Sequence, residues 1–125
     1  MPIISPSSIQ NLFLRSLPSK ALKELLPALQ PVPLPVKQVL HRPGDRLDFT
    51  YFPEAGMVSI VLLLQDGGSI EVGTIGKEGV LPVALLLGGE VATSEAMVQL
   101  EGTALRMPAE ALRHSLDANK ASSRR

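Results

Sequence analysis

The chain has 125 residues, with 12 Lys and Arg against 12 Asp and Glu, 45% hydrophobic residues, 3% aromatics and no cysteine. That length suits one domain with a single ordinary core, and the missing cysteine excludes a disulfide scaffold, a thiolate zinc site, a cysteine-ligated iron–sulfur cluster and a cysteine nucleophile. Balanced charge argues against a surface that coats nucleic acid, because phosphate binding needs clustered Lys and Arg; Arg124 and Arg125 aside, the body carries ten basic and twelve acidic groups.

The longest apolar run, Val80 to Leu87, has eight residues and contains Pro82, whereas a membrane-spanning helix needs roughly 20. The opening Met1-Pro2-Ile3-Ile4-Ser5-Pro6 lacks the basic segment and long apolar run of a secretory signal. A soluble cytoplasmic protein with no membrane partner is expected.

Residues 8 to 30 read as short helices: Leu22, Leu25, Leu26 and Leu29 recur at helical spacing between Lys20, Lys23 and Glu24. Pro18 suits a first turn, and Pro27 disfavours helix at the residue before it. Pro31-Val32-Pro33-Leu34-Pro35-Val36 is too rich in proline for a helix or a central strand, so an extended edge segment is expected. Lys37 to His41 extends, Pro43-Gly44-Asp45 turns, Asp48 to Phe52 extends, and Pro53-Glu54-Ala55-Gly56 is expected to turn again. Met57 to Gln65 is the strongest strand, with Val58, Ile60, Leu62 and Leu64 on one face and Met57, Val61 and Leu63 on the other, which predicts burial on both faces. Asp66-Gly67-Gly68 signals a hairpin into Ser69 to Ile75.

After Gly76-Lys77-Glu78-Gly79, the Leu-rich Val80 to Leu87 is expected to be a short buried helix. Glu95 to Glu101 alternates, with Ala96, Val98 and Leu100 inward, and Thr103 to Met107 continues as a further strand. From Pro108 the pattern turns helical through Leu112 and Leu116, and residues 117–125 are expected to form a disordered tail. Six or seven strands with turns every 8 to 12 residues favour a mainly β, antiparallel roll or barrel over βαβ repeats.

Catalysis has little support. His41 and His114 are the two imidazoles of the chain, too few for the convergent ligands of a jelly-roll metalloenzyme. His114, Ser115 and Asp117 supply the residue types of a triad, but adjacent positions on one helix do not face each other. Glu71, Glu95 and Glu101 fall on the solvated phase of their strands. Glu78 stands between glycines before a helical segment, where backbone N–H groups can receive an anion; as a bare motif it is more often just a strand-to-helix turn. No catalytic residue, metal site or cofactor is expected.

The runs Val39-Leu40-His41-Arg42-Pro43-Gly44-Asp45, Tyr51-Phe52-Pro53-Glu54-Ala55-Gly56-Met57-Val58-Ser59, Glu71-Val72-Gly73-Thr74-Ile75-Gly76-Lys77-Glu78-Gly79 and Val98-Gln99-Leu100-Glu101-Gly102-Thr103-Ala104-Leu105-Arg106-Met107, after Asn11-Leu12-Phe13-Leu14 and Leu17-Pro18, resemble in order and spacing the N-terminal half of Crp/Fnr-family transcription regulators. The resemblance spans roughly residues 8 to 116. It implies a sensor domain over 1–116: helices in 8–30, a cyclic-nucleotide-binding β-roll of jelly-roll-like double-stranded form over 32–107, and the start of a C-terminal helix over 108–116. Its implied role is to sense a small effector and bias a dimer's DNA-reading geometry.

Members that bind cyclic nucleotides carry a phosphate cassette: a Gly-Glu pair, a short helix, then an Arg and a small residue. Here Glu78-Gly79 resembles the first part with the order reversed. The stretch Glu90 to Val98 contains no Arg or Lys, and Thr93-Ser94 stand near the place of the Arg. The candidate ligand-binding residues are therefore Gly76, Glu78, Gly79, Thr93 and Ser94, in a degenerate cassette. Loss of the charge-assisted phosphate contact removes about 1.5–3 kcal/mol, roughly ten- to over a hundredfold in affinity, so high-affinity cyclic-nucleotide binding is not expected. The family's helix-turn-helix would lie beyond Leu116, where no such pattern follows in these residues. That predicts no direct DNA contact, and either weak self-association or pairing with an intact regulator. The alternative is a stand-alone module for another small molecule.

Overall fold

The computed structural model describes residues 4–123. Four α-helices, α1 (Leu12–Arg15), α2 (Ser19–Leu25), α3 (Val83–Leu86) and α4 (Ala109–Ser123), flank five strands, β1 (Gln30–Leu34), β2 (Val39–His41), β3 (Phe49–Leu63), β4 (Ser69–Ile75) and β5 (Glu95–Pro108). All pairings are antiparallel, in the order β1-β5-β3-β4, with β2 also on β5. One edge of β5 is taken by β1 opposite Gly102–Arg106 and by β2 opposite Ala96–Met97; β3 covers the other edge along its length. As expected from its prolines, β1 lies at the edge.

The six or seven expected strands become five because two of the expected breaks are bends inside a long strand. Pro53–Gly56 does not reverse the chain. Phe49–Pro53 pairs with Ala104–Pro108, and Met57–Val61 continues onto Glu95–Leu100 with three register shifts between. Surplus residues are taken up as bulges, which increase strand twist and curl a sheet. Gly56 adopts φ +89°, and a methyl there would come within 2.6 Å of the Leu100 carbonyl oxygen; a methyl on Gly102 would collide with the Ala55 carbonyl. Two glycines thus let β3 and β5 cross at close range. Leu100, expected inward, is 56% exposed beside this bend, and the inward positions resume at Ala104 and Leu105.

The roll encloses Leu34, Val58, Leu81, Ala96, Val98 and Ala104. A second cluster joins its outer wall to the helices through Leu14, Leu22, Leu25, Phe52, Leu85, Met107 and Leu112, with Leu116 packed alongside. The apolar edge of α4 is therefore answered within the chain. The expected disordered tail is corrected over Asp117–Ser123, where the backbone is helical; that segment has neither Gly nor Pro and contains good helix formers such as Ala118 and Lys120. Arg124 and Arg125 lie outside the described residues.

Asn11 ties the N-terminal helices to the bulged strand. Its Oδ1 accepts from Leu14 N–H at 3.0 Å and caps α1, while its Nδ2 donates to the carbonyls of Pro53 and Gly79, both at 2.8 Å. Glu54 Oε2 accepts from the N–H groups of Gln10 and Asn11 at 2.7 and 2.6 Å.

Burial on both faces of Met57–Gln65 holds at Val58 and Ser59 but fails further out. Leu62, Leu63, Leu64, Ile70 and Val72 are 41–58% exposed, because the β3–β4 hairpin runs past the roll and β4 ends the sheet. Gly67, at φ +91°, closes the turn as expected. No helix among the described residues is long and apolar enough to cross a membrane.

Candidate functional site

The expected helix over Val80–Leu87 is reduced to the four residues of α3. Leu81 is held instead as extended backbone: its N–H donates to the Tyr51 carbonyl at 2.9 Å, and its carbonyl accepts from Tyr51 N–H at 2.7 Å and Thr50 Oγ1 at 2.9 Å. Pro82, without an N–H, then starts α3 over the open side of the roll. The chain leaves α3 through Gly88, at φ +86°, with Gly89 N–H donating to the Ala84 carbonyl at 2.9 Å. Its next residues are stitched to the β2–β3 connection: Leu47 N–H donates to Glu90 O at 2.9 Å, Ala92 N–H to Asp45 O at 2.8 Å, and Gly44 N–H to Ala92 O at 2.9 Å.

Between these parts lies a cavity of about 450 Å³, within the roughly 300–1,000 Å³ of small-molecule sites. Ile60 and Leu62 of β3 form one wall, and Leu81, Pro82, Val83, Ala84 and Leu87 another; Gly89, Val91, Thr93 and Ser94 form the loop side, with His41 at the end of β2. None of these residues carries a carboxylate, an ammonium or a guanidinium. Four of the apolar residues are open to solvent at the rim: Leu62 at 42%, Val83 and Val91 at 48%, and Leu87 at 84%.

Of the five candidate residues, the structure brings Thr93 and Ser94 to this cavity and leaves Gly76, Glu78 and Gly79 outside its lining. Glu78 is exposed, and its Oε1 accepts from Gly76 N–H at 3.0 Å. That bond holds the carboxyl below its ordinary 4.5, as expected when hydrogen bonding favours the charged form. Glu78 therefore braces its own turn. The anion site considered at the helix start is corrected too: Leu81 is bridged to Tyr51 and Pro82 is extended, so the Gly76-Lys77-Glu78-Gly79 turn does not open into α3. The solvated reading holds for Glu71 and Glu101, which are exposed, whereas Glu95 is half-buried with an oxygen 4.0 Å from Arg42 Nε.

Sequence reasoning passed over His41, which had appeared only as a strand end before a turn. Its side chain is 8% exposed, and its Nδ1 lies 2.9 Å from the Ser94 carbonyl oxygen. The ring is shared by this cavity and a smaller one of about 160 Å³ that also touches Arg46, Asp48 and Tyr51. Burial pushes its pKa below the ordinary 6.5, against the Ser94 hydrogen bond and the carboxylates of Asp45 and Glu95, which pull upward. The imidazole is neutral at pH 7, with Nδ1 donating to Ser94. No local signal marks such a residue, because the contact spans 53 positions and depends on β2 pairing with β5.

Comparisons with solved structures agree on the architecture. The sensor domain of the transcriptional regulator DNR from Pseudomonas aeruginosa superposes with a TM-score of 0.71 at 20% identity, over 89% of this chain and 74% of that one. The c-di-GMP responsive global regulator Clp of Xanthomonas campestris gives 0.66 at 16%, over 84% of this chain and 51% of that one. The regulatory subunit of a cAMP-independent protein kinase A from Trypanosoma brucei, in a triple mutant bound to cAMP, gives 0.74 at 17%, over 95% and 46%. The chain thus spans about half the length of these last two proteins. No curated protein matches it in sequence. The sequence model of the cyclic nucleotide-binding domain nevertheless matches residues 31–119, from β1 through the roll and cavity into α4, and by that match the chain belongs to the cyclic nucleotide-binding domain family.

Proposed function

We propose that this chain is the effector-sensing β-roll of a Crp/Fnr-type transcription regulator, acting by binding and not by catalysis. Its effector is a small, neutral, largely apolar molecule in place of a cyclic nucleotide. The carrying observation is the cavity lining, which holds an open apolar rim and no charged side chain. A cyclic phosphate placed there loses its solvation without gaining a cation, whereas an apolar molecule gains about 25 cal/mol for each Å² of apolar surface it covers.

The route outward supports a sensing role. Arg113 of α4 donates from a guanidinium nitrogen to the Gly89 carbonyl at 3.4 Å, so the loop that walls the cavity also touches the last helix. A ligand that orders this loop shifts the setting of α4 only by as much as it prefers one arrangement over the other. Readout then passes to a dimer partner or an intact regulator, and these residues make no DNA contact of their own.

The trypanosome kinase subunit suggests the test. It is described as cAMP-independent, and the form bound to cAMP carries a Thr-to-Arg change among its three substitutions. Ser94→Arg would bring a guanidinium to the cavity here. Calorimetric titration with cAMP should give binding at least tenfold tighter for Ser94→Arg than for the native chain, in line with a charge-assisted contact. Native binding as tight as the variant's would overturn the proposal.

A further inference from the structure

The cavity wall contains one buried polar side-chain atom without a hydrogen-bond partner among the described residues. His41 donates from Nδ1 to the Ser94 carbonyl, and that bond fixes the neutral tautomer with the lone pair on Nε2. Nε2 is buried and has no hydrogen-bond partner among the described residues. A buried acceptor left unmet is costly, and in native structures such groups concentrate where a ligand or an ordered water completes them. The other polar side chains of the lining, Thr93 and Ser94, sit on the loop side and are not buried, so His41 is the polar group held in place by packing.

We propose that His41 Nε2 is the specificity contact of the cavity, accepting a hydrogen bond from an N–H or O–H donor on an otherwise apolar, neutral effector. This rests on the reading of the cavity as an apolar effector site and adds to it the one polar feature the effector must carry. The position of the ring supports the assignment. His41 is the last residue of β2, pinned to the loop through Ser94 and walled by Pro82, which borders both cavities. Nε2 is closed off behind that shared wall, so a donor reaches it as the wall parts, completing the imidazole and drawing the Ser94 loop and the start of α3 onto the ligand together. An effector without a donor fills the same apolar space and leaves Nε2 as it is.

Indole and 1-methylindole test this directly, since both are neutral and apolar and they differ in a single N–H. Calorimetry on the full 125-residue chain at pH 7.5 should show indole binding about two- to tenfold tighter, the range of one neutral hydrogen bond. His41→Phe should abolish the difference while retaining 1-methylindole binding. If that variant fails to fold, because the Ser94 carbonyl loses its donor, the native chain supplies a second readout. The ring ¹⁵N resonance of Nε2 should then move upfield with indole and stay in place with 1-methylindole. Equal affinities together with an unmoved Nε2 resonance would overturn the His41 assignment and leave the apolar cavity standing. Failure of both compounds to bind would overturn the cavity reading itself.

Discussion

The two ends of the roll are built on opposite terms. At the bulged end, Asn11, Glu54, Gly56 and Gly102 meet where β3 crosses β5, and both Asn11 and Glu54 have their side chains answered at 2.6–3.0 Å. At the cavity end, an imidazole nitrogen has no partner among the described residues and the apolar rim stands open. The well-bonded end is where the geometry allows few substitutions, and the proposed effector site lies in the part with fewer packing contacts and hydrogen bonds. Local opening is drawn from such low-contact regions, which is why binding loops are found there.

If that division is real, the heaviest losses should come from the crossing. Gly102→Ala sets a methyl against the Ala55 backbone carbonyl, which no side-chain rotation relieves. A loss of about 3 kcal/mol in urea unfolding is expected, at the upper end of overpacking effects. Asn11→Ala should follow at about 2 kcal/mol, because the variant removes the α1 cap and leaves the Pro53 and Gly79 carbonyls without their donor. A loss under half that for Asn11→Ala would mean that water replaces the side chain and the two ends are less different than drawn.

A smaller effect is expected at the other end, and it depends on pH. The folded pKa of His41 lies below its ordinary 6.5, so the folded state favours the neutral ring. Its contribution is fully present above about pH 6.5 and is lost as pH falls below that value through the folded pKa. Urea unfolding at intervals from pH 7.5 to 5 should therefore show stability declining with acid, and His41→Phe should flatten that slope. Glu78, held below 4.5, adds its own decline only under more acid conditions, which keeps the two separable. A native curve that is flat between pH 7.5 and 5 would count against burial as the dominant influence on His41.

The same contrast explains what could be read from sequence. The mainly β roll with its antiparallel order, the edge character of Pro31–Val36 and the Gly67 hairpin followed from local chemistry: prolines, turn residues and alternation. Pro53–Gly56 misled because the same residues make a turn or a bulge, and only the partner strand decides, here through Gly102 some 46 positions later. In the site, Thr93 and Ser94 were reached because they stand near the place of the Arg in the cassette that the resemblance implies, while Glu78 was drawn in by a motif whose carboxylate turns back on its own loop. His41 was invisible because its role is set by Ser94, 53 residues away.

The sharpest form of the comparison lies within a single strand. Val58 is fully buried and Leu63, five residues on in β3, is 58% exposed. Val58→Ala should cost about 2 kcal/mol, the loss of buried methyl groups from the closed roll. Leu63→Lys should change stability by no more than about 0.5 kcal/mol, as surface substitutions do. With Leu62, Leu64, Ile70 and Val72 beside it, however, Leu63 belongs to an apolar hairpin large enough to associate. Unfolding of the native chain and of Leu63→Lys at two protein concentrations separates the cases. A midpoint independent of concentration and unchanged by the lysine means that the hairpin is an exposed arm, and stability resides in the crossing alone. A native midpoint that rises with concentration, and a variant in which that rise is gone, would mean that a second copy covers the arm; the open end of the roll would then be completed by association, and its exposed leucines would belong to an interface.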